Sequence, residues 1–167
     1  TWIAVISVCK QVVQLKDVNS FFGNLKNGGM YEGIWGNVTD DNRVWIGSRN
    51  GITFGRWDNN NPMVLAAKPL DENRYYVVAG RMGSGTGELQ IELFINEPQA
   101  VAGKPFPVNP AANSSKLAIG QERDATNHPG RESFDGELAR FLIYERPLTN
   151  DELQQSMDSL KKTYAIK

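Results

Sequence analysis

Polar and apolar positions fall into short runs along this chain, and most of the runs have strand character. Glu88–Ile95 alternates: Leu89, Ile91, Leu93 and Ile95 share one face, and Glu88, Gln90, Glu92 and Phe94 the other. That is the period of two of a half-buried strand. Asn96-Glu97 turns the chain, and Pro98, which has no amide N–H to donate, ends the pairing. Thr1–Val8 is apolar and rich in β-branched residues, and Tyr75–Ala79 is a continuous apolar run, as in a central strand. Arg43–Ser48 and Ile52–Trp57 flank Arg49-Asn50-Gly51, and Asn-Gly, which tolerates positive φ at both residues, predicts a hairpin there. Lys116–Gly120 and Ser133–Tyr144 add two more strands. The glycine run Met82-Gly83-Ser84-Gly85-Thr86-Gly87 precedes a strand, whereas a phosphate loop opens a helix, so it reads as a hairpin loop. Gly28–Asn37 and Pro105–Asn113 read as connections. Short strands separated by Gly, Asn and Pro predict a sandwich or barrel.

One helix is marked at the end of the chain. Thr149 and Glu152 have capping-box spacing, with Leu148 and Leu153 at the staple positions around the cap. Leu153, Met157, Leu160 and Tyr164 form one helical stripe, which should dock on the β body.

Composition narrows the chemistry. The 167 residues suit a single domain spanning 1–167, and 40% hydrophobic with 22% charged residues is ordinary for a globular fold. Balanced charge, 18 Lys+Arg against 19 Asp+Glu, argues against nucleic acid as partner, which needs clustered cations. No apolar run approaches the roughly 20 residues of a membrane-spanning helix, which argues against membrane insertion. One cysteine excludes an internal disulfide and a Cys-cluster zinc site, and Cys9 reads as a buried thiol on an apolar strand. One histidine excludes any mechanism that needs two. No signal peptide is visible, yet strand character begins at the first residue, as in a piece of a longer polypeptide.

The motif search yields few catalytic arrangements. Asp58-Asn59-Asn60-Asn61 and Asp40-Asp41-Asn42 are oxygen-rich, but Pro62 and Met63 break an EF-hand pattern, so turn chemistry is the first reading and a single Ca²⁺ the second. Asp135 and Glu137 fall on one strand face at a spacing compatible with a glycosidase carboxylate pair. However, Glu132-Ser133-Phe134-Asp135-Gly136-Glu137 departs from the Glu-x-Asp-x-Glu alternation of sandwich glycosidases. His128 sits in a turn-like stretch, and no Gly-x-Ser-x-Gly elbow presents a serine. Asn37-Val38-Thr39 and Asn113-Ser114-Ser115 match the N-glycosylation triplet. What stands out is a surplus of aromatic and amide groups in apparent loops: Tyr31 and Trp35 in the glycine-rich stretch, and Trp57 beside Asn59 and Asn60. A flat ring beside amides suits the apolar C–H face and the hydroxyls of a sugar. For Trp35 and Trp57 core packing and ligand contact remain equally open, whereas Trp45, inside a strand, reads as core.

A family pattern appears in the last third. Lys116-Leu117-Ala118-Ile119-Gly120, a polar loop, then Phe134-Asp135-Gly136-Glu137-Leu138-Ala139-Arg140-Phe141-Leu142-Ile143-Tyr144-Glu145-Arg146-Pro147-Leu148-Thr149-Asn150-Asp151-Glu152-Leu153 resembles the laminin-G-like, concanavalin A-like lectin/glucanase family. Leu93-Phe94-Ile95-Asn96-Glu97 resembles its Tyr-Val-Asn-Gly hairpin, with Glu97 replacing the glycine, and Arg140 stands where the family often has glutamate. The resemblance implies an all-β jelly-roll sandwich of two antiparallel sheets with a short C-terminal α-helix. It also implies a bacterial module that is extracellular, on the cell surface or periplasmic, set among neighbouring domains of the same polypeptide. Such modules often bind glycans and Ca²⁺ at the sandwich rim.

The expected function is therefore a non-catalytic carbohydrate-binding or adhesion module with a poly- or oligosaccharide partner. No cofactor is required, and a structural Ca²⁺ is compatible. Tyr31, Trp35 and Trp57 would stack on sugar, and Asn59, Asn60, Arg123 and His128 would hydrogen-bond its hydroxyls. The alternatives are a protein-interaction or structural module without a sugar ligand and, third, a glycan-active hydrolase or lyase using Asp135 and Glu137.

Overall fold

The computed structural model describes residues 1–12, 19–24, 32–50, 63–85, 87–107, 116–121 and 133–167. Its strands are β1 (Trp2–Val8), β2 (Asn19–Gly23), β3 (Glu32–Val38), β4 (Val44–Asn50), β5 (Met63–Leu65), β6 (Tyr75–Met82), β7 (Glu88–Ile95), β8 (Ala100–Pro107), β9 (Ala118–Ile119) and β10 (Gly136–Ile143), followed by helix α1 (Asn150–Thr163). They build two antiparallel five-stranded sheets, ordered β10-β1-β6-β7-β8 and β5-β4-β3-β2-β9. This is the jelly-roll sandwich with a short C-terminal helix.

Period-two patterning decides what lies between the sheets. Ala4 and Ile6 of β1, Val78 of β6, and Ile91 and Leu93 of β7 face Val38, Val44, Ile46 and Val64 of the second sheet. The alternate residues Ile3, Val5, Val77, Ala79 and Phe94 point outward and are buried by Leu153, Met157 and Leu160 of α1. The predicted stripe thus docks on the outer face of the first sheet. The capping box at Thr149 and Glu152 is formed. Arg81 fastens the helix start: Nε donates to Glu92 Oε2 at 2.8 Å, and Nη1 donates to Leu148 O at 3.0 Å and Asn150 Oδ1 at 2.8 Å.

Four features differ from the sequence reading. Strand β2 was not expected, because a bulge spoils its alternation: Ser20 pairs with Asn37 and Phe22 with Gly36, so Phe21 is extra. Both phenylalanines then enter the core, and Asn19 and Ser20 are buried through hydrogen bonds to Val38 O and Asn37 Oδ1. Strand β3 runs through the glycine-rich stretch that reads as a loop; a Cβ on Gly36 would lie 2.6 Å from Phe22, so glycine is there for close packing. Strand β8 holds Pro105 at the edge of its sheet, where a missing N–H costs no ladder bond. Finally, β4 continues through Arg49 and Asn50, so that pair is strand and the β3–β4 turn lies at Thr39–Arg43. The expected strand Ile52–Trp57 falls outside the described residues.

Cys9 is a correction as well. It lies one residue past β1 and is exposed, with Sγ 3.7 Å from Asn73 Oδ1. Asn37 is fully buried, which removes its triplet as a glycosylation acceptor in the folded chain.

Gly36→Ala should cost about 1–3 kcal/mol by overpacking Phe21 and Phe22, read as a lower denaturant midpoint at unchanged slope. A second expectation concerns acid. Arg146 foremost, then the Thr149 amide, lowers the Glu152 carboxyl from 4.5 to about 2. A value lower in the folded state stabilises fully above the unfolded value and is lost as pH falls toward the folded one. The melting temperature should therefore drop more steeply between pH 4.5 and about 2 in the parent than in Glu152→Gln.

Candidate functional site

The strand register gathers several chain segments at one end of the sandwich. Glu32, which opens β3, pairs with Asn50, which closes β4, and Met63, which opens β5, pairs with Gly47. Segments 25–31 and 51–62 therefore join the second sheet at the same end. The first sheet contributes the β6–β7 hairpin there, held by Gly83 N–H donating to Gln90 O at 3.0 Å. Between the sheets this end opens into a cleft of ≈ 240 Å³, lined by Trp2, Ile34, Ile46, Met82, Ile91 and Ile143, with Ser84 and Arg146 among its polar groups.

The outer face of the second sheet adjoins that end. Trp35 of β3 and Trp45 of β4 meet edge to face, with centroids 6.0 Å apart and planes at 75°, and Leu65 packs against them. Gly47 makes room for the pair: a Cβ there would lie 2.6 Å from the Trp35 ring. Both indoles are buried, each 1% exposed. Two donors on this face of β3, Trp35 Nε1 and Asn37 Nδ2, have no hydrogen-bond partner among the described residues. A buried unpaired donor costs about 1–3 kcal/mol, so this face carries polarity that packing alone does not need.

Of the residues expected to touch a ligand, Trp35 alone lies among the described ones, and its ring is sealed inside the Trp35–Trp45 pair. It sits on a strand, where the glycine-rich context suggested a loop. Trp45 is buried as expected, but on the outer face of its sheet and outside the inter-sheet core. Tyr31, Trp57, Asn59, Asn60, Arg123 and His128 lie outside the described residues. Tyr31 directly precedes β3; Trp57, Asn59 and Asn60 belong to the β4–β5 connection; Arg123 and His128 belong to segment 122–132, which leaves the chain after Gln121 and rejoins it at Ser133, bridged to Ser20 of β2. The sequence reading missed Asn37, Ser20 and the cleft; the alternation of polar Asn37 with apolar Ile34 and Val38 was the available signal.

The acidic candidates are structural where they are described. Asp135 Oδ2 accepts from Val12 N–H at 2.8 Å, and its backbone is clasped by Gln11. Glu137 accepts from the Tyr75 hydroxyl on the outer face of the first sheet, which raises the Tyr75 pKa. Neither carboxylate lines the cleft. Asp41 is held below its ordinary pKa by the Thr39 hydroxyl and then by Arg43, which is turn chemistry. Among the described residues no three His, Cys, Asp or Glu side chains group as metal ligands, and Asp58–Asn61 lies outside them.

A laminin-G-type model, that of the concanavalin A-like lectin/glucanases superfamily, matches residues 19–154. The chain belongs to this superfamily. Solved structures share the sandwich at low identity. A heptameric SAP-like pentraxin from Limulus polyphemus is 14% identical with a TM-score of 0.63, over 93% of this chain and 68% of that one. The CBM40 of a Ruminococcus gnavus sialidase, bound to α2,3-sialyllactose, is 17% identical with a TM-score of 0.63, over 93% and 80%. A proposed carbohydrate-binding protein from Bacteroides ovatus is 20% identical with a TM-score of 0.61, over 92% of this chain and only 39% of that one. A search of the curated proteins found no match. At these identities the likeness establishes the superfamily's fold and leaves the ligand to the site itself.

Gly47→Ala should displace the Trp35 indole and cost about 1–3 kcal/mol of stability, with a shift in tryptophan emission that reports the opened pair.

Proposed function

We propose that the chain is a non-catalytic carbohydrate-binding module of a larger, extracytoplasmic polypeptide, and that it takes an oligo- or polysaccharide at the cleft end of the sandwich. The observation that supports this is the Glu32–Asn50 register. It roots the segments bearing Tyr31 and Trp57 side by side, next to an apolar cleft. Tyr31 and Trp57 would offer rings to the C–H faces of a sugar and Asn59 and Asn60 would bond its hydroxyls, whereas Arg123 and His128 belong to a segment rooted at Phe21 and Ser20, toward the opposite end of the sheet, and are left out of this site. Trp35 is a support under these groups, since its ring is buried. The carbohydrate-binding neighbours agree with this reading, and the commitment of Asp135 and Glu137 to structural hydrogen bonds favours binding over hydrolysis.

A glycan array followed by calorimetric titration of the best hit tests the reading. Tyr31→Ala and Trp57→Ala should each lose about 1–3 kcal/mol of affinity, comparable to other aromatic stacking losses. A chelator arm shows whether Ca²⁺ at the Asp58–Asn61 oxygens contributes. Affinity unchanged in both variants overturns the site. The absence of any glycan hit favours instead a protein-interaction module docking on the apolar cleft.

A further inference from the structure

We propose that the groove between α1 and β10, which shares only Tyr144 with the cleft and opens on the outer face of the first sheet, is a second binding site, for a sugar that carries a carboxylate. The groove has a volume of ≈ 530 Å³, and Arg140, Tyr144, Gln155, Ser159, Thr163 and Tyr164 contribute to its walls. That size falls within the roughly 300–1,000 Å³ of small-molecule sites.

A bulge in β10 creates it. Arg140 pairs with Val5 and Leu138 with Ile6, which leaves Ala139 unpaired between them. Arg140 is thereby placed on the outer, helix-covered face beside Leu142, while Phe141 and Leu138 point into the core. The extra residue also holds the far wall, because the Tyr164 hydroxyl donates to Ala139 O at 3.3 Å.

The lining then separates into spent and available groups. The hydroxyls of Ser156 and Thr163 donate back into the helix, each at 2.8 Å. Gln155 and Ser159 are exposed and open to a ligand's hydroxyls. Arg140 is the one charged residue among the described lining. Among the described residues Arg43, Arg74, Arg81 and Arg146 each hold a carboxylate in an ion pair, and Arg140 holds none. A guanidinium offers a planar fork that matches a carboxylate bidentately. Two tyrosine rings beside it suit the C–H face of a pyranose. A bare anion would not use the rings, and a neutral sugar would bond the guanidinium without pairing its charge, so the combination points to an acidic saccharide.

Titration with digalacturonate, with neutral galactobiose and with acetate tests this. Digalacturonate should bind saturably and in a salt-sensitive manner. Arg140→Gln, a change at an exposed side chain, and Gln155→Trp, which fills the groove from the helix surface, should each weaken it by about tenfold or more. Trp57→Ala should leave it unchanged, which separates this site from the one at the sandwich end. Equal binding by Arg140→Gln, competition by acetate as effective as by the sugar acid, or no saturable binding of digalacturonate overturns the proposal.

Discussion

The fold depends on aromatic rings meeting across the two sheets. Trp2 of β1 packs edge to face on Phe21 and Phe22 of β2, with centroids 5.9 and 4.8 Å away. Phe134 extends the contact from Phe21 and Phe141 from Phe22, so the chain's first strand, second strand and last strand share one cluster. Large rings can fill the space only where the neighbouring strand of the same sheet lacks a Cβ. Gly36 on β3 and Gly80 on β6 supply that relief, and a Cβ at either would lie about 2.6 Å from a ring carbon. Aromatic pairs contribute about 0.5–1.5 kcal/mol beyond the area they bury. A cluster joining residues more than a hundred positions apart thus fixes the strand register on which every loop position depends.

Because the core is filled by strands and its outer flank by one helix, recognition is left to the ends and edges. The first sheet has α1 over its outer face, clamped by Arg81, whose guanidinium also lies 5.0 Å from the Phe94 ring centre. The second sheet has a different outer face, with two packed indoles and two unpaired donors. That contrast matters chemically: aliphatic packing under the helix serves stability, whereas uncompensated hydrogen-bonding capacity costs stability and persists where another constraint holds it.

The parts legible in the sequence were those with an unbroken period. Strand β7 alternates, and its Ile91 and Leu93 face enters the core as read, whereas Phe94 on the other face is buried in the cluster that holds the helix stripe. The capping box and stripe of α1 were equally clear, because caps and helical stripes are local signals. What escaped was set by distant partners. Gly36 looks like a loop residue until the rings that occupy its Cβ space are known. For Trp35, in the glycine-rich stretch, the sequence leaves core packing and ligand contact equally open, and the structure decides for packing because Gly47 on the neighbouring strand leaves room for its ring. Cys9 was read as a continuation of β1, but the chain turns at that point, with its amide donating to Asp135 O at 2.8 Å. Amides were the hardest case: alternation with Ile34 and Val38 places Asn37 on the other face of a strand, but it does not say that this face is buried.

Bulges are the common cause behind both the misreadings and the surface chemistry. One extra residue reverses the face of everything beyond it. In β2 the extra Phe21 brings adjacent phenylalanines into the core and turns Ser20 toward Asn37 on the outer face. In β10 the extra Ala139 sets Arg140 on the same face as Glu137, three positions away, where strict alternation would separate them. In β8 the register shift beside Phe94 leaves Val101 unpaired and 47% exposed at the sheet edge. Each bulge moves a side chain to the environment that alternation would not assign to it, Phe21 into the core and Arg140 and Val101 to the surface. The sandwich can therefore keep its aromatic cluster unchanged while its surface is respecified one residue at a time. That separation of core from surface explains how a shared fold, at sequence identities below one quarter, leaves each chain free to present its own binding groups.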